Sequence, residues 1–498
     1  MAKILSDPFA EYTETLTENE KTLVKRFFKQ FDSHCILSRS EKKKLRGDFE
    51  KAVLHYIGTG LSLEASLERL DPSHLGGFYA RPPILWFPLD DAAKIYPLSM
   101  EHGRMALFRL SVYLKTPVIP ELLQMALDFA IRRFPSFATT LKKGVFWHYL
   151  DTTKRRFTVQ EEKDIPCQPW QVSLSGSQSF RVLYYENRIS VEFFHVLTDG
   201  TGGLMFLKVL TAEYLRLNGV KAAPGETLWD IGAIPAAEEF ENAFAKVPQR
   251  PSASGFMDKP ALQMSGRLTE AKPCRILHFK MDASALKAAA EKYQTTVTEY
   301  TLGQMFLAGR AATDDLEGEM SIQVPVNMRK FYPSKTVRNF SMYCGIRLSV
   351  DKIVDLPGII GEIRDQLHRK ASKESMSDML TATERLVNTL KLVPLVIKQP
   401  VARTVYGFLG DKIFTNTLSN LGVVKLPEAL APYIDSMDFV LGTGISNRAG
   451  CAMVTVNNIA TFSITKMTKD PSFEEKMYEL LTADGIAVDV EGSEFYGH

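Results

Sequence analysis

The 498-residue sequence predicts a mixed α+β protein, with two lobes preceded by a helical extension. Three observations lead to this fold class. Helical periodicity alone runs to about residue 75, and strand-like and helical segments alternate beyond it. A weakly periodic stretch rich in Ala, Pro, Gly and Ser divides the alternating part in two. We therefore expect an N-terminal helical extension at 1–78, a first lobe at 79–222, a crossover linker at 223–272 and a second lobe at 273–498.

The extension contains three predicted helices. Thr17-Glu18-Asn19-Glu20 has the spacing of a capping box, in which a threonine and a glutamate satisfy each other's free backbone N–H groups. It opens an amphipathic stretch that ends at Phe31. Two further stretches, 40–57 and 62–70, follow. Their apolar stripes indicate helices that pack on the rest of the protein.

In each lobe, segments with the hydrophobic period of a strand alternate with segments that have the period of a helix. In the first lobe we predict strands at 105–114, 145–150, 180–185 and 189–195, and helices at 120–134 and 202–217. In the second we predict strands at 276–281, 320–326, 343–350, 414–418, 436–441, 452–456 and 460–465, and helices at 283–292, 297–312, most of 357–408, and 472–481.

Composition excludes several classes of protein. With 60 Lys and Arg against 58 Asp and Glu, the net charge is +2, too balanced for a nucleic-acid-binding protein. The one dense basic cluster, residues 42–46, is interpreted as a solvated helix face. No apolar stretch approaches the roughly 18 residues of a membrane span, and residues 1–8 lack the apolar core of a signal peptide.

The five cysteines are scattered and never form a CxxC pair. This pattern fits neither a disulfide framework nor a zinc site, and it is typical of a reducing compartment. We expect a cytoplasmic monomer without a bound metal or a permanently bound cofactor.

The segment with the clearest chemistry is Phe194-His195-Val196-Leu197-Thr198-Asp199-Gly200. His195 ends an apolar strand, Asp199 follows four residues later, and glycines at 200, 202 and 203 allow a sharp turn before a helix. A general base must titrate near neutral pH and be held in one orientation, which a histidine at a strand end satisfies. Asp199 is interpreted as a carboxylate that holds the loop by pairing with a distant cation.

The residues alone leave other interpretations open. A histidine on an apolar strand is by default a hydrogen-bonded core residue. A metal site is disfavoured because no third His or Cys lies near His195. A phosphate-binding loop is disfavoured because residues 200–205 lack the last glycine of GxGxxG. No GxSxG elbow of a serine hydrolase is present.

The segment resembles the HxxxDG motif of the chloramphenicol acetyltransferase and condensation-domain superfamily, above all its alcohol acetyltransferase-like members. Many relatives carry two histidines before the aspartate. Phe194 replaces the first here, and the second, the catalytic one in that family, is present as His195. The resemblance covers about residues 80–498. Its other segments are Trp86–Ala93, Ile95–Pro97, Arg133–Phe137, Gly144–Trp147, Val324–Arg329, Arg338–Phe340 and Ser419–Gly422.

The resemblance implies two chloramphenicol acetyltransferase-like lobes with a tunnel between them. It implies that His195 is the general base, and that Asp199 and Arg329 form an ion pair that holds the loop with Gly200. Ser419 or Asn420 is the candidate donor to an oxyanion or to substrate. Acyl-CoA, with acetyl as the expected acyl group, would be the co-substrate and a small-molecule alcohol the acceptor.

Two other functions remain open at this point. The acyl group could come from an acyl carrier protein and pass to an amine or hydroxyl group, as in condensation enzymes. The chain could also be an inactive relative that serves as a scaffold. The presence of His195, Asp199, Gly200 and Arg329 together argues against the inactive relative.

Overall fold

The computed structural model describes residues 7–75, 86–90, 93–94, 96–99, 105–153, 155–169, 177–250, 259–398, 412–444 and 447–496. Asp91, Ala92, Ile95 and the end of the predicted helical stretch 357–408 lie outside these residues. The described chain combines α-helices with three β-sheets, which confirms the predicted mixed α+β class. No helix in these ranges is both long enough and apolar enough to cross a bilayer.

The N-terminal extension is helical, as predicted. Its helices are α1 (Pro8–Glu14), α2 (Glu18–His34), α3 (Arg39–Gly58) and α4 (Leu63–Arg69). The capping box exists: the Glu20 carboxylate accepts from the Thr17 backbone N at 2.9 Å, and the Thr17 hydroxyl accepts from the Glu20 backbone N at 3.4 Å. The first helix was not predicted, because its seven residues are too few to show a clear period.

The extension packs on the first lobe through apolar and polar contacts. The ring of Phe49 meets that of Phe129 at a centroid distance of 6.0 Å. The Tyr56 hydroxyl donates to the Leu217 carbonyl at 2.7 Å. Asp48 and Arg156 form an ion pair at 2.7 Å. The two regions therefore share one core.

The first lobe contains two sheets. Its strands are β1 (Trp86–Pro88), β2 (Leu107–Leu114), β3 (Thr139–Lys143), β4 (His148–Thr152), β5 (Val159–Glu161), β6 (Ser177–Gln178), β7 (Phe180–Tyr185) and β8 (Arg188–Phe194). Its helices are α5 (Tyr96–Ser99), α6 (Pro120–Ala130) and α7 (Gly200–Leu217). A four-stranded sheet has the order β1-β4-β3-β6. In the larger sheet, β2 pairs antiparallel with β8, which leads to His195.

The second lobe is built on a seven-stranded sheet of order β11-β10-β12-β14-β15-β9-β16. The strands are β9 (Arg275–Asp282), β10 (Glu319–Asn327), β11 (Ser341–Ser349), β12 (Asn416–Val423), β13 (Ile434–Leu441), β14 (Ala449–Val456), β15 (Ile459–Lys466) and β16 (Val488–Gly492). The helices are α8 (Ala283–Lys292), α9 (Val297–Ala311), α10 (Leu356–Lys370), α11 (Lys373–Thr389) and α12 (Ser472–Ala483). Most bounds lie within two residues of the predicted ones.

Strand β13 differs from the expected lobe division. It lies within 273–498 along the chain, yet it pairs antiparallel with β2 and completes the order β13-β2-β8-β7-β5 of the first lobe's larger sheet. Periodicity predicts a strand but not its partner, because pairing depends on contacts between residues far apart in sequence. The two lobes are therefore joined by a shared sheet as well as by the linker.

The predicted strand at 145–150 is shifted. The strand begins at His148, and residues 144–147 form the turn of the β3–β4 hairpin, where the Gly144 N–H donates to the Trp147 carbonyl at 3.1 Å. The apolar run of Val145, Phe146 and Trp147 has the composition of a strand but lies in the turn. In the structure, Val145 and Phe146 are exposed.

Candidate active site

His195 lies where β8 leaves the sheet. The backbone N–H of His195 donates to the Ala106 carbonyl at 2.9 Å, which keeps His195 in register with β2. The chain then turns, and the backbone N–H of Leu197 donates to the Phe194 carbonyl at 2.9 Å. The imidazole ring stacks on Tyr96, with ring centroids 5.4 Å apart and planes 23° apart. The ring of Phe108 lies 4.7 Å away on a tilted plane. Backbone pairing and two aromatic rings thus orient the side chain.

The electrostatic surroundings of His195 keep it neutral. Burial lowers its pKa to about 4, and the negative charge of Asp199 only partly opposes this effect. The residue is nevertheless partly exposed to solvent. Its Nδ1 is buried, and a hydrogen bond with the Thr198 backbone is the smallest of the effects on the pKa. The imidazole is therefore unprotonated at neutral pH and available to accept a proton, but its pKa lies below the near-neutral value expected from the sequence, because the site is buried.

Asp199 uses its carboxylate to hold the loop that follows His195. As the N-cap of α7, it accepts from the Gly202 N–H at 3.0 Å. Its other oxygen accepts from the Phe340 N–H and from Arg329 Nη1, each at 2.7 Å. A carboxylate with this many hydrogen-bond donors is held in one orientation.

Arg329 brings the second lobe to the motif loop. It follows β10, as predicted, and forms the ion pair with Asp199. Its remaining guanidinium donors are also used: Nε and Nη2 donate to the Thr336 carbonyl at 3.2 and 2.8 Å, and Nη2 to the Arg338 carbonyl at 2.9 Å. Both side chains of the pair are largely buried. The pair therefore joins the two lobes at the histidine.

The glycines of the loop permit close approach between the lobes. A side chain at Gly202 would collide with the backbone carbonyl of Val337, which also accepts from the Thr198 hydroxyl at 2.5 Å. At Gly200, a Cβ would lie 2.8 Å from the side chain of Leu421. The requirement for glycine is stricter at 202, because backbone cannot move aside as a leucine side chain can.

The contact of Gly200 with Leu421 also places β12, and with it Ser419 and Asn420, beside the motif loop. The side chain of Asn420 is already engaged: it donates to the Thr298 hydroxyl at 3.1 Å and accepts from the Gly422 N–H at 2.8 Å. The Ser419 side chain is partly exposed, and its hydroxyl has no hydrogen-bond partner among the described residues. Of the two predicted oxyanion donors, Ser419 is the one whose side chain is not already held by other residues, because the Asn420 amide is fixed by Thr298 and Gly422.

Three neighbours of the histidine were not assigned a role from sequence: Tyr96, Phe108 and Asn339. The Asn339 amide donates to the His195 carbonyl at 3.1 Å and thereby supports the bend after the strand. Next to it, Arg338 forms a buried ion pair with Asp90 at 3.0 Å. Residues 86–97 and 338–340 both belong to the segments that resemble the acyltransferase superfamily. Nothing in the sequence indicates that Asp90 and Arg338 meet.

Metal chemistry finds no support in the described part of the chain, where no three His, Cys, Asp or Glu side chains are grouped to hold an ion. All five cysteines are buried and free of disulfides.

No family model matches the sequence, and no curated protein matches it. Solved structures do. TRI3 trichothecene 15-O-acetyltransferase from Fusarium sporotrichioides is 11% identical, with 80% of this chain and 95% of that chain covered and a TM-score of 0.54. TRI101 from F. sporotrichioides, complexed with coenzyme A and T-2, is 13% identical, with 82% and 100% covered and a TM-score of 0.53.

Polyketide synthase associated protein 5 from Mycobacterium tuberculosis is 11% identical, with 79% of this chain and 97% of that chain covered and a TM-score of 0.53. Because identities are this low, the likeness concerns the fold. The chain has the two-lobe chloramphenicol acetyltransferase-like fold, as the motif resemblance predicted.

Proposed function

We propose that the protein is an acyltransferase that moves an acyl group, such as acetyl, from coenzyme A to the hydroxyl of a small alcohol. The observation that carries this proposal is His195, which is neutral, partly exposed and held by two rings at the junction of the lobes. The likeness to TRI3, a 15-O-acetyltransferase, and to TRI101 with bound coenzyme A supports the same chemistry.

In this reaction His195 accepts the proton of the acceptor hydroxyl while that oxygen attacks the thioester carbonyl. The tetrahedral intermediate then collapses, the carbon–sulfur bond breaks, and the thiolate leaves and is protonated by the imidazolium. No covalent acyl-enzyme forms. Holding both substrates together can contribute about 7–11 kcal/mol to lowering the barrier, and the base about 10²–10⁴-fold in rate.

The negative oxygen of the tetrahedral intermediate requires a hydrogen-bond donor. We assign this role to the Ser419 hydroxyl, because β12 adjoins the motif loop and the Asn420 amide is engaged with Thr298. Loss of one such donor costs about 10²–10³-fold in kcat. Ser419→Ala should show this loss with unchanged thermal stability, and an unchanged kcat would remove Ser419 from the mechanism.

A second candidate follows from the resemblance of the motif to that of condensation enzymes, in which the acyl group arrives on a carrier protein. The fold is the same, and His195 would act in the same way. The two candidates therefore differ only in the donor.

The test supplies the full-length protein with acetyl-CoA, with longer acyl-CoAs and with acyl carrier protein thioesters, each with a panel of alcohols and amines. Free thiol release and the acylated product are measured. Turnover with acyl-CoA and an alcohol supports the proposal, and turnover only with the carrier-bound donor supports the second candidate. Folded protein that turns over no donor would contradict both and favour a scaffold.

A further inference from the structure

The tip of the β3–β4 hairpin and the segment 390–398 form one surface. The Leu395 N–H donates to the Val145 carbonyl at 2.9 Å, and Leu395 itself is buried. Around this hydrogen bond, large apolar side chains project into solvent. We call them the apolar patch: Val145 (71% exposed), Phe146 (41%), Leu392 (79%), Val396 (70%) and Ile397 (59%).

This clustering is unusual for a soluble surface. Single exposed apolar side chains are common, but a contiguous group bordered by charge marks an interaction surface. The side chains come from two segments that are distant in the sequence, so the patch is created by the fold. Neither segment belongs to the candidate active site.

The exposed charged side chains at the edge of the patch are cationic: Lys143 and Lys391. Beneath it, the ammonium groups of Lys94 and Lys398 lie 5.9 and 3.3 Å from the centroid of the Trp147 ring. Lys398 is buried and donates to the Leu390 carbonyl at 3.0 Å, so it supports the patch from below and does not face lipid. The carboxylate of Asp151, on the same hairpin, is already paired with Lys142.

The sequence extends this pattern. Residues 385–398 contain no Asp or Glu, and their charged residues are Arg385, Lys391 and Lys398. Apolar side chains combined with cations are the features that bind the interface of an anionic membrane, where the side chains enter the headgroup region and the cations meet lipid phosphates.

We propose that the apolar patch docks on the surface of an anionic phospholipid bilayer. The proposal is independent of the acyltransferase reaction. It requires no membrane span, only the shallow insertion of the side chains named above. Lys94 lies two residues before Tyr96, whose ring stacks on His195, so docking would bring the candidate active site close to the membrane.

The experiment measures flotation of the full-length protein with vesicles of phosphatidylcholine alone or mixed with phosphatidylserine. The parent should float with the mixed vesicles. The double variant Val396→Asp and Ile397→Asp should bind about tenfold more weakly, since it places charge where apolar contact is needed. Both residues are exposed, so the variant should fold, and thermal unfolding checks this.

The matched control is Ile36→Asp with Ile234→Asp, two residues that are 62% and 90% exposed in the extension and the linker. It should bind like the parent. A parent that binds neither vesicle, or a patch variant that binds as well as the parent, overturns the proposal. Equal binding to both vesicles overturns its electrostatic part. Capture of an acidic protein in place of vesicles would identify the patch as a protein interface instead.

Discussion

Two histidines on strands, His195 in the first lobe and His278 in the second, both have a pKa lowered by burial, but their surroundings differ. His195 ends its strand, and its buried ring nitrogen lies beside the Thr198 backbone. His278 lies in the middle of β9, with Nδ1 2.9 Å from the Ser463 hydroxyl and Nε2 3.9 Å from the Asp438 carboxylate.

The group formed by His278, Ser463 and Asp438 has the residue types of a nucleophilic triad. Its position excludes that chemistry, because Ser463 is 1% exposed and lies in register with His278 inside the sheet. His278 is therefore the hydrogen-bonded core histidine that is the default for this residue on a strand. What distinguishes the candidate base is its place at the end of a strand, beside the loop that joins the lobes, and the identity of its neighbours is not sufficient.

The largest effect expected from this comparison is on the reaction rate. His195→Ala should slow thiol release from acetyl-CoA by about 10²–10⁴-fold, since it removes the proton acceptor. His278→Ala should keep the rate near that of the parent and lower only the stability. The two rates are measured under the same conditions, with circular dichroism as the check on folding. Equal losses in both variants would show that the comparison is wrong.

The second prediction contrasts the two aspartates. Asp199→Asn leaves the buried Arg329 without its counter-charge, which should lower the free energy of unfolding by about 3–5 kcal/mol and slow the reaction as well. Asp438 pairs in register with Ser111, and that position lies about 16 Å along the sheet from His195.

Asp438→Asn should therefore lower stability while leaving thiol release unchanged. Urea unfolding monitored by fluorescence, together with the rate assay, measures both quantities for each variant. An Asp199→Asn protein as stable as the parent would remove the ion pair from the account of the loop.

The smallest expected effect concerns pH. Because the pKa of His195 is about 4, kcat/KM should stay constant as the pH falls through 6.5, and the acid limb should appear only near pH 4. Stability behaves differently. The unfolded histidine takes up a proton below about pH 6.5 and the folded one does not, so the free energy of unfolding falls as the pH drops. A break in kcat/KM at pH 6.5 would contradict the assigned environment.

Local features of the chain were predictable because their signals are local. The capping box at Thr17, the helix at 283–292 and the strand that leads to His195 follow from residue spacing alone. The prediction of a strand that begins at Val145 is wrong because it also used only a local signal. An apolar run indicates burial, and only the fold shows that this run turns and remains exposed.

By itself, the sequence determined the fold class, most of the helices and strands, and the residues of the motif. Hydrophobic periodicity and the HxxxDG spacing depend only on residues that are close together in the chain. The ion pair of Arg329 with Asp199 was expected from the family resemblance, and the structure gives it at 2.7 Å. The tertiary structure alone decided the other meetings of distant groups: β13 with β2, Phe340 with Asp199, and Leu421 with Gly200. These contacts join residues more than 100 positions apart, where no local pattern constrains the partner. The structure also decided that His278 is hydrogen-bonded inside its sheet, whereas His195 lies at the end of its strand beside the second lobe.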